Sequence, residues 1–225
     1  IAQVDGQVFN PATPATYTWS RQAVLLPVDD IANCLAELGP NLLIGGQRNA
    51  IYPWDGNSAL VGYPILIAEH FIQRMVTVNT NTYILAGQRG RIYITNGSQA
   101  NLFKKVPDHI SGIIEPYFQW GDLASIRNQL YFSLLCKNPA TGAVIKQYGA
   151  LWAVDLDSKA IRLTNKLSYA TYDGIATVIL PIVPVPTGNP SFPDTVTGVG
   201  LFVGFDDGAS GYGLDYSGTF PYSDE

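Results

Sequence analysis

One stretch of the sequence occurs twice. Residues 44–56, IGGQRNAIYPWDG, return at 85–97 as LAGQRGRIYITNG, with Gly-Gln-Arg, Ile-Tyr and a closing Asp-Gly or Asn-Gly at matching positions 41 residues apart. Looser copies of the surrounding pattern follow at 128–155 and at 200–208. A repeat of about 40 residues with many short strands is typical of a β-propeller, in which each unit is one small antiparallel sheet, or blade.

The segments between the turns alternate in polarity as β-strands do. In RIYIT, residues 91–95, the two isoleucines alternate with Tyr93 and Thr95, which predicts a strand buried on one face. Residues 150–165 predict a hairpin with DLDSK as its turn. Glycine (22 residues), proline (15) and tyrosine (13) are frequent, and only 14% of the residues are charged. This composition indicates an all-β protein with many turns.

We therefore predict an all-β, β-propeller-like fold with four blades, or five if the N-terminal stretch supplies one. A four-stranded blade cannot bury both of its faces alone, whereas neighbouring blades around an axis supply the missing surface. Tandem β-sandwich domains are the alternative, but they need roughly 100 residues per unit. The blades could close into a small ring or form an arc of a larger ring, and the sequence leaves both arrangements open.

Two regions depart from the repeat. Residues 1–40 predict an N-terminal arm or partial blade, and residues 41–225 predict the propeller-like repeats, with a Pro-rich insertion near 181–193. Within the arm, PVDDIANCLAELGP (27–40) predicts a short helix capped by Asp30 or its neighbour, with a loop as the alternative. The first residue is Ile and no signal-peptide pattern follows, which we interpret as a processed chain or a piece of a longer one.

Charge, hydropathy and spacing exclude several classes of partner. A net charge of −5 predicts no binding to nucleic acid, and the most apolar stretch, 176–186, is interrupted by three prolines, so membrane insertion is not expected. Cys34 and Cys136 predict two buried free thiols. His70 and His109 show no metal-ligand spacing, so we expect no metal, no cofactor and no histidine-based catalysis.

The repeated Gly-Gln-Arg has two interpretations. Arg48 and Arg89 could bind a carboxylate or a sugar acid through bidentate contacts. Alternatively, the motif ties each blade to the next, with the arginine bonding loop carbonyls and the glycine permitting a tight turn. The recurrence of the motif with its whole hairpin favours the second interpretation, because a catalytic residue is needed only once.

Several aspartates are candidates for acid–base chemistry. Asp206 and Asp207 with Asp215 could supply the pair of carboxyls that a glycosidase places around the scissile bond. An aspartate in a tight turn, however, usually bonds its own backbone. We therefore interpret Asp155 and Asp157 as turn residues, and prefer the same interpretation for the 206–215 group.

Aromatic side chains at the hairpins are further candidates, since an exposed tyrosine or tryptophan suits sugar stacking or protein contacts. Trp54 and Tyr212 lie beside turns, so we include them among the candidate binding residues. We predict no catalytic residue and no metal ligand. The candidate binding residues are Arg48, Arg89, Trp54, Asp206, Asp207 and Tyr212.

Two stretches resemble a known group of proteins. AGQRGRIYITNGSQANLFKKVPD (86–108) and NQLYFSLL (128–135) resemble β-propeller-like structural proteins of tailed bacteriophages, found among tail and tail-associated virion proteins. The resemblance covers about residues 40–165, with a weaker echo at 212–218, and it includes no diagnostic motif. It implies a structural virion protein of the tail or particle surface, assembled in the host cytoplasm. The implied partners are other virion proteins within a homo-oligomeric assembly, and a host surface glycan or receptor.

Two other functions remain open. The first is a carbohydrate-binding or carbohydrate-cleaving propeller, a hydrolase or lyase, that would use the 206–215 aspartates with Arg48 and Arg89. The second is an extracellular binding propeller of a cell. The preferred interpretation is a non-enzymatic scaffold or interaction module.

Overall fold

Successive antiparallel sheets make up the fold. The structure is a computed structural model that describes residues 2–4, 19–21, 26–27, 30–106, 117–126, 128–143, 150–163, 175–182, 200–206 and 212–217. Within these residues every regular element is a strand. The chain is therefore all-β, as predicted.

The described strands form five sheets. A two-stranded ribbon contains β1 (Ala2–Val4) and β2 (Trp19–Arg21). The first sheet contains β3–β6: Ala32–Leu38, Asn41–Gly46, Ala50–Trp54 and Ile65–Leu66. The second sheet contains β7–β10: Ile72–Val78, Asn81–Ala86, Arg91–Thr95 and Ala100–Lys105. The third sheet contains β11–β14: Tyr117–Ile126, Gln129–Lys137, Ala150–Asp155 and Ile161–Leu163. The fourth sheet contains β15–β17: Ile175–Ile182, Gly200–Asp206 and Tyr212–Ser217.

Each of the first to fourth sheets is an antiparallel meander whose strands follow chain order. The first strands of successive sheets contact one another, β3 against β7, β7 against β11, and β11 against β15. Short meander sheets that meet through their first strands are the blades of a propeller, with those strands nearest the axis. The β-propeller-like fold predicted from the repeat is confirmed.

The two copies of the repeated stretch occupy the same place in consecutive blades. The first copy forms the hairpin β4–β5 and the second copy forms β8–β9, in each case the second and third strands of the sheet. The looser third copy, 128–155, forms β12–β13 in the third sheet. The copy at 200–208 provides β16.

The second sheet is buried on both faces. Along β8, Tyr83 and Leu85 pack in the cluster shared with the third sheet, whereas Ile84 and Ala86 pack in the cluster shared with the first sheet. Tyr93 of β9 is only 4% exposed, so the prediction of a strand buried on one face was wrong. Adjacent blades cover both faces, which is why the strand sequences are apolar in consecutive positions.

Two segments differ from the sequence-based prediction. Residues 32–38 form strand β3 rather than a helix, because pairing with β4 buries Ala36 and half-buries Cys34 and Leu38, which alternate along the strand. The first sheet therefore begins before residue 41. Pro181, at the start of the predicted Pro-rich insertion, belongs to β15, an edge strand where a missing N–H is tolerated, and residues 183–199 lie outside the described residues.

The first strand of each of the four described blades carries a bulge, where the register shifts by one residue. Two of these bulges are bonded to the bulge of the following blade. Asn33 in the β3 bulge donates its Nδ2 to the carbonyl of Ile72 at 2.7 Å. Arg74, at the β7 bulge, pairs with Asp122 at the β11 bulge, with Nε and Oδ1 3.3 Å apart. The bulges thus link consecutive blades along the inner face.

The turns that close the hairpins use one recurring arrangement. The Asp55 carboxylate accepts hydrogen bonds from the backbone N–H groups of Asn57 and Ser58, and the Asp155 carboxylate does the same for residues 157 and 158. Asn96 takes the same place in the second copy. The turn interpretation of Asp155 is confirmed, and hydrogen bonds hold the pKa of its carboxyl below the usual range.

Both cysteines are free thiols, as predicted. Cys136 is buried and Cys34 is half-buried. Burial raises the pKa of Cys136 to about 11 and that of Cys34 to about 12, so both are protonated at neutral pH. The described residues include no helix that could cross a membrane.

Removal of a ring from the core between the second and third sheets tests how far these blades depend on each other. Phe132 is 0% exposed, and its ring lies edge-on to that of Trp120 with centroids 5.6 Å apart. We expect Phe132→Ala to lower the free energy of unfolding by about 3–5 kcal/mol, because it leaves a cavity. Leu102→Ala, at a side chain that is 55% exposed, is the control and should change it by no more than about 0.5 kcal/mol. Equal losses of unfolding free energy for the two variants in urea denaturation would contradict the packing of Phe132 in this core.

The turn arrangement predicts a distinction between two substitutions of one residue. Asp155→Ala removes the acceptor for both backbone N–H groups and should lower the thermal midpoint. Asp155→Asn should lower the thermal midpoint less than Asp155→Ala does, since Asn96 forms the equivalent turn with an amide oxygen. Differential scanning calorimetry of both variants measures the difference. A midpoint for Asn as low as that for Ala would mean that the negative charge, rather than the turn, is what matters.

Candidate functional site

The two Gly-Gln-Arg loops tie each blade to the next. The first loop joins β4 to β5, and the Gln47 carbonyl accepts a hydrogen bond from Phe71 N at the entry to the second sheet, at 2.9 Å. The second loop joins β8 to β9, and the Gln88 carbonyl accepts from Phe118 N of the third sheet, also at 2.9 Å. This supports the architectural interpretation of the motif, with the glutamine backbone making the tie.

A carboxylate lies against the glycine of each loop. A Cβ at Gly46 would collide with the Asp30 carboxylate, and a Cβ at Gly87 would collide with that of Glu69. Gly87 also has a φ of +63°, in the left-handed region that favours glycine. An acidic side chain from the segment preceding the sheet therefore packs directly on the glycine of each loop, a partner that the sequence analysis did not identify.

In the first copy this carboxylate accepts three hydrogen bonds. Asp30 accepts from the Tyr52 hydroxyl at 2.7 Å, from Ile31 N at 2.8 Å and from Arg48 N at 3.1 Å. Burial by itself raises the pKa of this carboxyl, but the hydrogen bonds outweigh burial and hold the pKa below its usual value. Burial, together with the bond to Asp30, raises the pKa of Tyr52 to about 12.

In the second copy the carboxylate forms an ion pair instead. Glu69 Oε1 lies 3.0 Å from Nη1 of Arg91, and the two side chains are 11% and 30% exposed. Arg91 replaces Ala50, the residue at the matching position of the first copy. The same structural place therefore holds a carboxylate bound by uncharged donors in one blade and a carboxylate paired with an arginine in the next.

A cleft opens between the second and third sheets, next to this ion pair. It encloses about 490 Å³. Its walls come from the segment before β7, the β8–β9 loop, the end of β10 and the start of β11. The lining residues are Glu69, His70, Phe71, Gly87, Gln88, Arg89, Arg91, Lys105, Tyr117, Phe118 and Pro139.

Backbone pairing and one side-chain bond hold the cleft in shape. Lys105 lies directly opposite Arg91 in the β9–β10 register, which brings two cations to one wall. Gln88 donates its Nε2 to the Tyr117 hydroxyl at 2.7 Å, and this bond spans the second and third sheets. The cleft is therefore lined by cationic side chains of the second sheet and its β8–β9 loop, and we treat it as the candidate functional site.

The structure separates the candidate residues predicted from the sequence. Arg89 is exposed and lines the cleft, while Arg48 is exposed on the equivalent loop of the first sheet. Trp54 is only 4% exposed and donates its Nε1 to the carbonyl of Ser58 at 2.7 Å. The prediction that Trp54 presents a surface ring for binding was wrong, because the indole packs under its own turn.

The C-terminal candidates lie in another sheet. Asp206 ends β16 and is the register partner of Tyr212, which begins β17. Asp207 lies outside the described residues. No group of three or more His, Cys, Asp or Glu side chains suited to a metal ion occurs in the part of the chain that the structure describes.

The Asp30 network predicts an acid-dependent loss of stability. Because the pKa of Asp30 is lowered on folding, its contribution is complete above the unfolded value of 3.8 and is lost as the pH falls through the folded value. At neutral pH, Asp30→Ala should cost about 1–2 kcal/mol, since it leaves the Tyr52 hydroxyl without its acceptor.

The matched control for Asp30→Ala is Glu37→Ala, which changes an exposed carboxylate on the neighbouring strand β3. Urea denaturation at pH 7 and at pH 3 measures both variants against the wild type. The difference between Asp30→Ala and the wild type should shrink at pH 3. A difference that is unchanged at pH 3 would show that the carboxylate is not the stabilising group.

No protein-family model matches the sequence, and no curated protein matches it. Solved structures match in strand arrangement. The β-propeller domain of Cps50 (Swd1) from Myceliophteria thermophila aligns with a TM-score of 0.41 and 14% identity, over 65% of this chain and 59% of that one. BamB from Moraxella catarrhalis aligns with a TM-score of 0.42 and 9% identity, over 83% and 49%.

A chain of a nidogen/laminin complex aligns with a TM-score of 0.46 and 11% identity, over 82% of this chain and 64% of that one. The chain thus spans between about half and two thirds of the length of these three structures. The similarity concerns the arrangement of strands alone. The β-propeller-like fold of this chain follows from its own sheets and from the way their first strands meet.

Proposed function

We propose that the chain is a structural protein of a tailed-bacteriophage particle, a β-propeller-like module that works by binding other virion proteins. The resemblance of residues 86–108 and 128–135 to tail-associated virion proteins points to this setting. Assembly in the host cytoplasm and a homo-oligomeric arrangement within the particle belong to the same proposal.

The observation that carries the proposal is an apolar surface on the outer side of the first sheet. Leu60, Tyr63 and Leu66 lie on the β5–β6 connection and on β6, and they are 68%, 96% and 61% exposed. We call these three residues the apolar rim. An exposed tyrosine flanked by leucines within seven residues has the composition of the central part of a protein interface.

The loop that carries the apolar rim is held by hydrogen bonds. Gly62 N donates to the Pro53 carbonyl at 2.6 Å, and the Asp55 carboxylate accepts from the Ser58 hydroxyl at 2.8 Å. A loop anchored at both positions presents its apolar side chains in a fixed arrangement, so that little conformational entropy is lost when a partner binds. The apolar rim therefore suits stable assembly contacts.

The carboxylates of the described hairpins favour binding over catalysis. Asp55 and Asp155 accept hydrogen bonds from their own turns, and Glu69 pairs with Arg91. Each of these carboxylates serves the architecture of its blade. We accordingly propose an interaction module without enzymatic activity.

The proposal predicts that the protein is present in stoichiometric amount in purified particles. A phage carrying Leu60→Ser with Tyr63→Ser should lose the protein from its particles, because the contact surface becomes polar. Leu102→Ser, at an exposed leucine on β10, is the control and should be incorporated normally. Quantitative mass spectrometry of purified particles measures the amounts of the wild-type protein, the double variant and the Leu102→Ser control. Absence of the wild-type protein from particles would refute the proposal, and normal incorporation of the double variant would refute the role of the apolar rim.

A second candidate function, binding of a host surface glycan, is favoured by a specific observation. The cleft between the second and third sheets combines cationic side chains with the aromatic residues Phe71 and Tyr117. Rings and charged donors around one concavity are features of small-ligand sites. In a particle protein such a cleft would contact the host rather than another virion component.

A further inference from the structure

The closing turn of the second copy contains the only Asn-Gly pair in the sequence, Asn96 followed by Gly97. This turn joins β9 to β10. Asn96 is exposed, and Gly97 has a φ of +96°, in the left-handed region that favours glycine. The equivalent turns of the first and third sheets are built on the carboxylates of Asp55 and Asp155. The second sheet therefore has an amide at a place where the fold also accepts an acid.

This pair of residues can undergo attack of the Gly97 backbone nitrogen on Cγ of Asn96. Glycine has no side chain to obstruct the ring closure, and it adopts backbone angles that other residues avoid. A bond forms between Gly97 N and Asn96 Cγ, the bond from Cγ to Nδ2 breaks, and the amide leaves as ammonia with the proton of the glycine N–H. Water then opens the cyclic imide at one carbonyl or the other, which gives aspartate or isoaspartate.

Hydrogen bonds within the turn prepare both reacting groups. Asn96 Oδ1 accepts from Ser98 N at 3.2 Å and from the Ser98 hydroxyl at 2.8 Å. These two donors polarise the side-chain carbonyl and stabilise the negative charge that develops on Oδ1 during the attack. Gly97 N donates to Thr95 Oγ1 at 3.1 Å, and that hydroxyl donates in turn to the Gln99 carbonyl at 2.7 Å. The bond to Thr95 draws the proton away from the attacking nitrogen.

The equivalent turns of the first and third sheets lack this reactivity. Hydrogen bonds from the backbone of their own turns hold the pKa of the Asp55 and Asp155 carboxyls below the usual range, so both are ionised at neutral pH. An ionised carboxylate resists attack by a backbone nitrogen, because it already carries negative charge and has no neutral leaving group. Of these three turn residues, Asn96 is the one that presents an uncharged carbonyl group to the nitrogen that follows it.

From these observations we propose that Asn96 is a site of spontaneous deamidation in the folded protein, with Gly97 N as the nucleophile and water as the co-reactant. The aspartate product retains the turn, since Asp55 accepts hydrogen bonds in the same arrangement. The isoaspartate product lengthens the main chain within the turn. A Cβ at Gly97 would lie 3.1 Å from Leu38 Cδ2, so the turn packs on the first sheet, and the isoaspartate form disturbs that contact. The inference is independent of the proposed function.

The test is incubation of the full, folded chain at mildly alkaline pH, followed by peptide mapping with tandem mass spectrometry. Asn96 should convert to its acid and isoaspartate forms at least about tenfold faster than Asn57 and Asn101 do. Those two asparagines are exposed, as Asn96 is, but serine and leucine follow them, so they are internal controls. The rate at Asn96 should rise with pH, because the glycine nitrogen loses its proton in the attack.

Two variants and a matched control test the part played by the hydrogen bonds. Ser98→Ala removes the hydroxyl donor to Asn96 Oδ1 and should slow the conversion about threefold or more. Ser98→Thr retains a hydroxyl and should keep the rate within about twofold of the wild type. Ser58→Ala makes the same change in the turn of the first copy, where the hydroxyl donates to Asp55, and should leave the rate at Asn96 unchanged. Thermal melts confirm that each variant is folded.

Each outcome decides the question. Retention of the amide at Asn96 in the folded chain, with conversion only in urea, would overturn the inference, because it would show that the turn protects the pair. Equal rates at Asn96, Asn57 and Asn101 would overturn it as well. A rate in Ser98→Ala equal to that of the wild type would uphold the site and overturn the role of the Ser98 hydroxyl. None of these results affects the mass-spectrometric test of the virion proposal.

Discussion

Each four-stranded sheet with a described neighbour on both sides has two apolar faces, and those neighbours pack against them. The second sheet shows this directly, since alternate residues of β8 enter two different cores. A single blade would leave one or both faces in water, so a blade is stable only within the stack. The repeat of about 40 residues is therefore a thermodynamic requirement of the fold, and it fixes most of what the two copies have in common.

Apolar packing does not by itself set how one blade is rotated on the next, because the hydrophobic effect is not directional. Two sets of polar contacts provide that direction. At the inner strands, Asn33 and Arg74 each reach the neighbouring bulge, and at the Gly-Gln-Arg loops a glutamine carbonyl accepts an N–H from the next blade. The carboxylates of Asp30 and Glu69 pack against the glycines of those loops.

These contacts explain which features were predictable from the sequence. The hairpins were, because strand alternation and Asx turns are local signals. The strand at 32–38 was missed because a short apolar segment suits helix and strand alike, and pairing with β4 decided between them. The carboxylate partners were missed because Asp30 and Glu69 are 39 residues apart, so an alignment at 41 does not match them. The bulges have no local sequence signal.

The stack also determines where new properties can arise. A position shared by both copies serves the turn or the tie, as Gly46 and Gly87 do, and a change there disturbs the blade. Positions that differ between the two copies are those at which the packing of one blade on the next does not require a particular residue. The apolar rim lies in the first sheet, where the connection to the last strand is longer, and the opposed cations Arg91 and Lys105 lie in the second sheet. Arg48 and Arg89 occupy equivalent loops, yet of the two only Arg89 lines this cleft together with Arg91 and Lys105, so the surroundings rather than the motif distinguish the two arginines.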